Sequence, residues 1–143
     1  MTPDGERRLC PSAQPDMPDA VAFGVIGGTA EQPVVSYLEG TLPASTGLLQ
    51  LASPVRPTEV FRFAAPCAED GCRHFGAGRC RLGRKLASEV DAKVQRLPAC
   101  RIRSSCRWWH EQGKAACYRC PVVVTEHYSA DTGLRAAADP ESA

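Results

Sequence analysis

The sequence predicts a small, loop-rich α+β domain that bound metal stabilises, and three observations favour this class. A length of 143 residues fits a single domain and excludes a large multidomain enzyme. The 12 glycines and 12 prolines indicate many turns, although they fall short of a low-complexity composition. The 8 cysteines are the outlying number in the composition, so thiol chemistry is the main feature to explain.

Short apolar segments predict a few short strands. VAFGVIGG (21–28) and PVVSYLEG (33–40) are rich in β-branched or aromatic residues and end in glycine, as strands often do. PVVVTEHY (121–128), directly after the last cysteine, predicts another strand. These segments supply a modest apolar core.

The longest helix is predicted over about 82–97, within RLGRKLASEVDAKVQRL. Its apolar residues recur every three or four positions and therefore share one helical face suited to core packing; they are Leu82, Leu86, Val90, Val94 and Leu97. Pro98 ends this helix because proline cannot continue it. A shorter helix is predicted in STGLLQLAS (45–53), where Ser45 or Thr46 is the N-cap.

The composition divides the chain into three parts. Residues 1–19 contain four prolines and four acidic residues and predict an extended arm that carries Cys10. Residues 20–128 are predicted to form a single metal-binding domain, whose cysteine-rich part is 67–124. Residues 129–143 are rich in alanine and predict a disordered tail.

The start of the chain and its hydropathy predict a cytoplasmic protein with no membrane segment. The first twenty residues contain no apolar run, so neither a secretory signal nor a transit peptide is expected. No segment approaches the roughly 18–20 apolar residues of a membrane span. In a reducing cytosol, clustered cysteines are more often metal ligands or catalytic thiols than disulfides. The alternative is an exported protein in which the cysteines form four disulfides.

Positive charge is concentrated where the cysteines are. Residues 67–120 contain twelve Lys and Arg against five Asp and Glu, a balance of +7, together with seven of the eight cysteines. The remaining residues carry a net charge of −6, so the formal net charge of the whole chain is only +1. Such a polarised surface suits docking to the acidic surface of a partner redox protein.

Arginines and tryptophans interleave in CRIRSSCRWWH (100–110). These residue types can bind nucleic acid through phosphate contacts and base stacking; the residues concerned are Arg101, Arg103, Arg107, Trp108 and Trp109. The favoured interpretation is structural, because a cluster held by four thiolates is a buried anion that needs basic neighbours and shielding from solvent.

The cysteines fall into two sets of four, separated by the predicted helix. The first set contains Cys10, Cys67, Cys72 and Cys80, and the second contains Cys100, Cys106, Cys117 and Cys120. Four thiolates complete either a tetrahedral zinc site or a 4Fe–4S cluster. Two metal centres are therefore the simplest prediction.

The spacing favours iron–sulfur over zinc. Structural zinc sites commonly use two tight C-x2–4-C turns, and only Cys117 and Cys120 have that spacing. A 4Fe–4S cluster binds each thiolate at a different iron and tolerates ligands from separate loops. Both Cys10-Pro11 and Cys120-Pro121 also have the Cys-Pro ending of bacterial ferredoxin runs.

His74 offers an alternative for the first set. A Cys3His site could use it together with Cys67, Cys72 and Cys80, leaving Cys10 free. Cys10 is the preferred fourth ligand because its Cys-Pro ending otherwise has no explanation.

The segment CYRCPV (117–122) resembles the CxxCPV core of the WhiB-like iron–sulfur regulators of actinobacteria. That family binds a 4Fe–4S cluster and acts with a sigma factor on DNA. The resemblance covers six residues and implies that Cys117 and Cys120 are cluster ligands. It concerns the cluster-binding turn and does not extend to the regulatory function.

These observations predict a small bacterial iron–sulfur protein with two 4Fe–4S clusters, which transfers electrons or serves as an accessory subunit of a larger redox enzyme. An electron carrier is favoured over an enzyme, and no catalytic residue is predicted. The alternative is a metal-stabilised or redox-sensing module, with zinc or iron–sulfur, that binds nucleic acid. A thiol redox enzyme using Cys117 and Cys120 is a third possibility, but it leaves the other six cysteines without a role.

Overall fold

The computed structural model describes residues 8–29, 32–92, 94–123 and 137–138, and it shows the predicted small α+β class. The strands are β1 Leu9–Ala13, β2 Val21–Gly28, β3 Pro33–Pro43, β4 Phe61–Pro66, β5 Phe75–Gly76 and β6 Arg79–Cys80. The helices are α1 Thr46–Gln50, α2 Pro57–Val60, α3 Arg81–Glu89, α4 Arg107–Gln112 and α5 Lys114–Cys117. Single 3₁₀ turns lie at Glu69–Gly71, Arg103–Ser105 and Cys120–Val122.

The main sheet is antiparallel, with four strands in the order β1-β4-β2-β3, and β5 pairs with β6 in a separate hairpin. The strands predicted at 21–28 and 33–40 are confirmed as β2 and β3. The short helix predicted in 45–53 is confirmed as α1, and Ser45 caps it by accepting a hydrogen bond from the Leu48 N–H at 3.2 Å.

The two faces of the sheet pack against different parts of the chain. Phe61 and Phe63 of β4 belong to a cluster that includes Leu48 of α1. On the other side, Phe23 of β2 packs with Ile102, which comes from the cysteine-rich segment. Because β4 is buried on both sides, it forms the floor on which the cysteine-rich segment rests.

The helix predicted over about 82–97 is wrong in its second half, because α3 ends one residue before Val90. Val90 still packs in the predicted apolar stripe. Its carbonyl accepts a hydrogen bond from the guanidinium of Arg119, and the Val94 N–H donates to the Tyr118 carbonyl at 3.2 Å. These backbone groups thus bond to a segment distant in sequence instead of continuing the helix.

The strand predicted at 121–128 is wrong at its start, where Cys120–Val122 forms a 3₁₀ turn, and its residues from 124 onward lie outside the described part. Within the predicted arm, residues 9–13 form the edge strand β1. Of the predicted tail, the structure describes Ala137 and Ala138, and Ala137 is buried against the α3–α5 helices.

Trp108 packs so closely on α3 that position 83 must be glycine. A Cβ atom at Gly83 would lie 2.6 Å from Cδ1 of Trp108, whose side chain is 2% exposed. We expect Gly83→Ala to lower the free energy of unfolding by ~1–3 kcal/mol, the usual cost of overpacking a core. Denaturation by urea measures this change.

Gly47→Ala is the matched control for that substitution. Gly47 lies in α1, and the nearest atom to an added Cβ is the Ser45 Oγ at 4.0 Å. We expect this change to raise stability by up to ~1 kcal/mol, because alanine is the better helix former. Equal stability of the Gly83→Ala and Gly47→Ala proteins would contradict the described packing.

Candidate metal centres

All eight cysteines are free thiols in the structure, and they line two separate cavities. The cavity beside β1, here called the edge cavity, has a volume of about 410 Å³. The cavity between the sheet and the helices, here called the inner cavity, has a volume of about 20 Å³. Each cavity is lined by one of the two sets of four cysteines that the sequence separates.

Strand pairing brings the distant Cys10 to the rest of the first set in the edge cavity. Cys10 lies opposite Ala65 in the β1–β4 ladder. Cys67 directly follows β4, and its N–H donates to the Arg8 carbonyl at 2.8 Å. An antiparallel ladder, irregular between Cys10 and Ala13, therefore brings together two cysteines that 56 residues separate in the sequence.

Turns and caps place the other two cysteines of the edge cavity. Cys72 ends the Glu69–Gly71 turn, where its N–H donates to the Glu69 carbonyl at 2.8 Å. Cys80 ends β6 and is the N-cap residue of α3. His74 also lines this cavity, so the structure brings both proposed fourth ligands, Cys10 and His74, to the same place.

Short helices position the second set around the inner cavity. Cys106 is the N-cap residue of α4, and Cys117 is the last residue of α5. Cys120 begins the following 3₁₀ turn, and Cys100 precedes the Arg103–Ser105 turn. A bridge between Leu9 and Cys106 joins β1 to this set, and Trp108 lines both cavities.

Backbone N–H groups point at the sulfur atoms in a repeated arrangement. In six of the cysteines, the sulfur interacts with the N–H of the residue two positions further along the chain. The donors are Ser12 for Cys10, Glu69 for Cys67 (3.4 Å), His74 for Cys72 (3.4 Å), Leu82 for Cys80, Ile102 for Cys100 and Trp108 for Cys106. Such donors stabilise the thiolate form, which is the form that binds metals.

Burial opposes this effect in the metal-free chain. Burial and, to a smaller extent, the neighbouring Cys80, Cys67 and Cys72 raise the pKa of Cys10 to about 12. Burial likewise raises the pKa of Cys106 to about 12, with contributions from Cys120 and Cys100. Cys10 and Cys106 therefore keep their protons at neutral pH in the metal-free chain, and a metal would have to displace them.

This gives the metal-free protein a distinctive pH dependence. Unfolded cysteines ionise near 9.0, whereas Cys10 and Cys106 hold their protons up to about 12. The stability they contribute is complete below pH 9 and is lost as the pH rises towards 12. We expect a loss of order 1–2 kcal/mol per thiol at about pH 10.5.

Urea denaturation in the presence of a chelator, at pH values between about 7.5 and 10.5, measures this dependence. Cys10→Ala should flatten the alkaline slope by the contribution of one thiol. A slope that Cys10→Ala leaves unchanged would show that Cys10 is accessible to water.

Arg62, which the sequence reasoning missed, places a buried positive charge next to Cys120 and Trp108 in the wall of the inner cavity. Its side chain is 5% exposed, and Nε donates to the Pro11 carbonyl at 2.9 Å while Nη1 donates to the Cys120 carbonyl. The guanidinium carbon lies 5.3 Å from the ring centroid of Phe23 and 5.6 Å from that of Trp108.

The charge of Arg62 is balanced by no carboxylate within the described chain. Its Nη2 is buried and has no hydrogen-bond partner among the described residues. Burial works against the charged form, but Cys120 and Tyr37 hold its pKa above the ordinary value. A buried guanidinium is costly unless an anion compensates it. The clue in the sequence is an arginine within the otherwise apolar segment FRFAA (61–65).

Other basic groups lie beside the sulfur atoms. Arg103 hydrogen-bonds Cys117 and lies 5.7 Å from the Trp109 ring centroid. Arg107 is 7% exposed, forms ion pairs with Glu69 and Glu111 at 2.9 Å each, and interacts with Cys67. Each cysteine set thus has at least one partly or fully buried arginine beside it.

Within the described residues, no three His, Cys, Asp or Glu side chains are grouped in a way that could hold one metal ion. No described helix has both the length and the apolar character needed to cross a membrane.

Comparisons with known proteins identify no relative of this chain, so the site is interpreted from its geometry alone. A scan against protein-family models, a search of curated proteins and a search of solved structures each found no match to this chain.

Proposed function

We propose that this protein holds two 4Fe–4S clusters and transfers single electrons to or from a larger redox enzyme, as a carrier or as an accessory subunit. The observation that carries the proposal is the division of the eight cysteines into two sets of four, each around its own cavity. Four cysteines are the usual complement of one such cluster.

The donor chemistry of both cavities fits the proposed clusters. Cys10, Cys67, Cys72 and Cys80 would hold one cluster, with His74 as the alternative to Cys10, and the other four cysteines would hold the second. The N–H groups directed at the sulfurs, together with Arg62 and Arg103, compensate the negative charge that four thiolates bring. When bound, such a cluster supplies one-electron redox chemistry.

The two cavities differ in the room they offer. The edge cavity, at about 410 Å³, offers the larger space. Its side chains would still have to draw together around a cluster, because no three potential ligands in the described chain are grouped around one position. The inner cavity, at about 20 Å³, has space for little more than one water molecule. The segments carrying Cys100, Cys106, Cys117 and Cys120 must therefore move apart when a cluster binds, so we infer that binding and final folding are coupled there.

The position of Trp108 supports electron transfer as the role of the two proposed centres. Its indole ring belongs to the walls of both cavities, so one side chain separates the two proposed centres. Two adjacent centres allow an electron to pass from one to the other. A single metal would be enough if the metal only stabilised the fold. We place this protein in the cytoplasm, where reducing conditions keep thiols available.

A metal-stabilised nucleic-acid-binding module is the second candidate. Arg101 is exposed, as that function requires. Arg107 and Trp108 are buried, and both face the cavities. Nucleic-acid binding is therefore placed second.

The thiol-enzyme alternative needs a reactive cysteine with a lowered pKa. Burial instead raises the pKa of Cys117, although Arg103 partly opposes the effect. This chemistry argues against Cys117 as an attacking thiolate.

Metal and sulfide analysis of anaerobically purified protein tests the proposal. We expect a brown protein with about eight iron and about eight inorganic sulfide per chain. About four iron and four sulfide per chain would mean that the protein holds one cluster instead of two. A colourless protein with zinc and no sulfide would overturn it.

A further inference from the structure

A third cavity, here called the basic groove, lies next to the edge cavity. Its volume is about 720 Å³, and its walls include Arg79, Arg81 and Arg84 together with Phe75, Cys80 and Gln112. The β5–β6 hairpin supplies Phe75 and Arg79, and the first turn of α3 supplies Arg81 and Arg84. The hairpin and the helix therefore concentrate three positive charges that are spread over six positions in the sequence.

The charges of the groove are available for a partner. Arg79 donates to the Glu111 carbonyl at 2.8 Å, and Arg81 donates to the carbonyls of His74 and Arg73. These bonds orient the guanidinium groups but do not neutralise them, and each guanidinium has five N–H donors. No residue in the groove wall is acidic. Among the described residues, none of the three arginines forms an ion pair.

Cys80 connects the groove to the first set of cysteines. It belongs to the walls of both the basic groove and the edge cavity, as does Phe75. A molecule seated in the groove is thus separated from the edge cavity only by the hairpin that carries one of the proposed ligands.

We propose that the basic groove is the docking surface for an acidic face of the redox partner, and that electrons enter or leave through the edge-cavity centre at Cys80. The role in electron exchange depends on the proposed function, whereas the docking does not. Complementary charge of this kind accelerates encounter and orients the partner. In the exchange, the reduced centre loses one electron and the oxidised partner gains it, and no bond or proton moves.

The openness of the surface favours a protein partner over a small anion. Arg79 and Arg84 are both exposed, and a volume of about 720 Å³ is large for a single phosphate group. Carboxylates spread over the face of a protein can contact all three arginines.

Direct binding of an acidic probe tests the docking surface on the protein as purified. The probe is a fluorescein-labelled peptide of ten glutamates, followed by fluorescence anisotropy at low ionic strength. The groove variant Arg79→Gln/Arg84→Gln should bind it about tenfold more weakly than wild type. The control Arg56→Gln/Arg101→Gln, which removes two exposed charges outside the groove, should change binding less than about twofold.

Two results would overturn the docking proposal. Equal weakening by both double variants would show that only the overall charge matters. Stoichiometric binding of inorganic pyrophosphate in calorimetry, lost in the groove variant alone, would make the groove a small-anion site.

Oxidation kinetics test the role of the groove in electron exchange. Dithionite-reduced protein is oxidised by anionic ferricyanide, which becomes ferrocyanide, or by cationic hexaamminecobalt(III). The groove variant should react about tenfold more slowly with ferricyanide and no more slowly with the cobalt complex, while the control variant matches wild type. Equal ferricyanide rates for the groove and control variants refute electron exchange at the groove. A colourless protein refutes the cluster proposal, and peptide binding then still decides the docking surface.

Discussion

Cys10→Ser is expected to give a folded protein with about half of the wild-type iron, whereas Cys120→Ser is expected to lose most of its iron and much of its stability. About four iron per chain should remain in the first variant if each cavity holds one 4Fe–4S cluster. The contrast arises because the two cysteine sets are connected to the fold in different ways.

Cys10 belongs to a strand that does not need metal to stay in place. The backbone of β1 pairs with β4, and Ala13 is buried in the core beneath α1. A serine at position 10 keeps this ladder and removes only one sulfur from the edge cavity. The sheet and the second set of cysteines should therefore remain.

Cys120 lies beside two short helices of the fold. The neighbouring helices α4 and α5 have only six and four residues, which is too short for a helix to be stable on its own. A centre in the inner cavity would join these helices to the loop at Cys100, so its loss would remove much of the free energy that holds the segment together.

Iron content, size-exclusion chromatography and circular dichroism of the two variants, prepared in parallel, provide the test. Cys72→Ser is the matched control, because it removes another thiol from the edge cavity and should resemble Cys10→Ser. If Cys10→Ser retains the full iron content, Cys10 is not a ligand. In that case His74→Ala, in the same cavity, should halve the iron instead.

The grouping of Cys67, Cys72 and Cys80, and that of the second set, was predictable because the members of each group are close in sequence. Cys10 reaches its set through the β1–β4 ladder, where the sequence predicted only an extended arm. The helix that separates the two sets has a clear apolar stripe, and its first half is present as α3. The spatial grouping into two cavities follows the grouping in the sequence. That the cysteines hold a metal stays a prediction.

Features that depend on distant contacts were not predictable. The carbonyl of Val90, directly after α3, is bound by Arg119, which lies 29 residues further along the chain. An arginine is expected at the surface from its charge alone, but Arg62 does not lie there. It is buried because β4 lies in the interior of the sheet and the cysteine-rich segment covers it. A hydropathy pattern does not show which distant segment of the chain packs over a given strand.

Arg62→Met is expected to lower the reduction potential of one of the two proposed centres by ~90 mV and to weaken its retention of iron. Cys120 and Cys106 are among the groups that interact with the charge of Arg62. At an effective dielectric constant of about 20, a unit charge roughly 8 Å away contributes about 2 kcal/mol, which corresponds to ~90 mV for one electron. The potential falls because the reduced centre carries one more negative charge, which Arg62 would stabilise.

The metal-free protein should respond differently to the same substitution. Removing a buried guanidinium that has no carboxylate partner in the described chain relieves its desolvation. This gain is offset by the loss of its hydrogen bonds to the Pro11 and Cys120 carbonyls. We therefore expect metal-free stability to change by no more than about 1 kcal/mol, so the main effect of Arg62→Met depends on the bound centre.

Arg62→Lys separates the contribution of charge from that of shape. Lysine keeps the positive charge but loses the planar fork that reaches both carbonyls, so it should preserve most of the potential while lowering stability. Redox titration of the three proteins, followed by visible absorbance, measures the potentials, and urea denaturation with chelator measures the metal-free stabilities. If Arg62→Met leaves both potentials unchanged, Arg62 does not face a charged centre, and the negative charge assigned to the inner cavity is refuted.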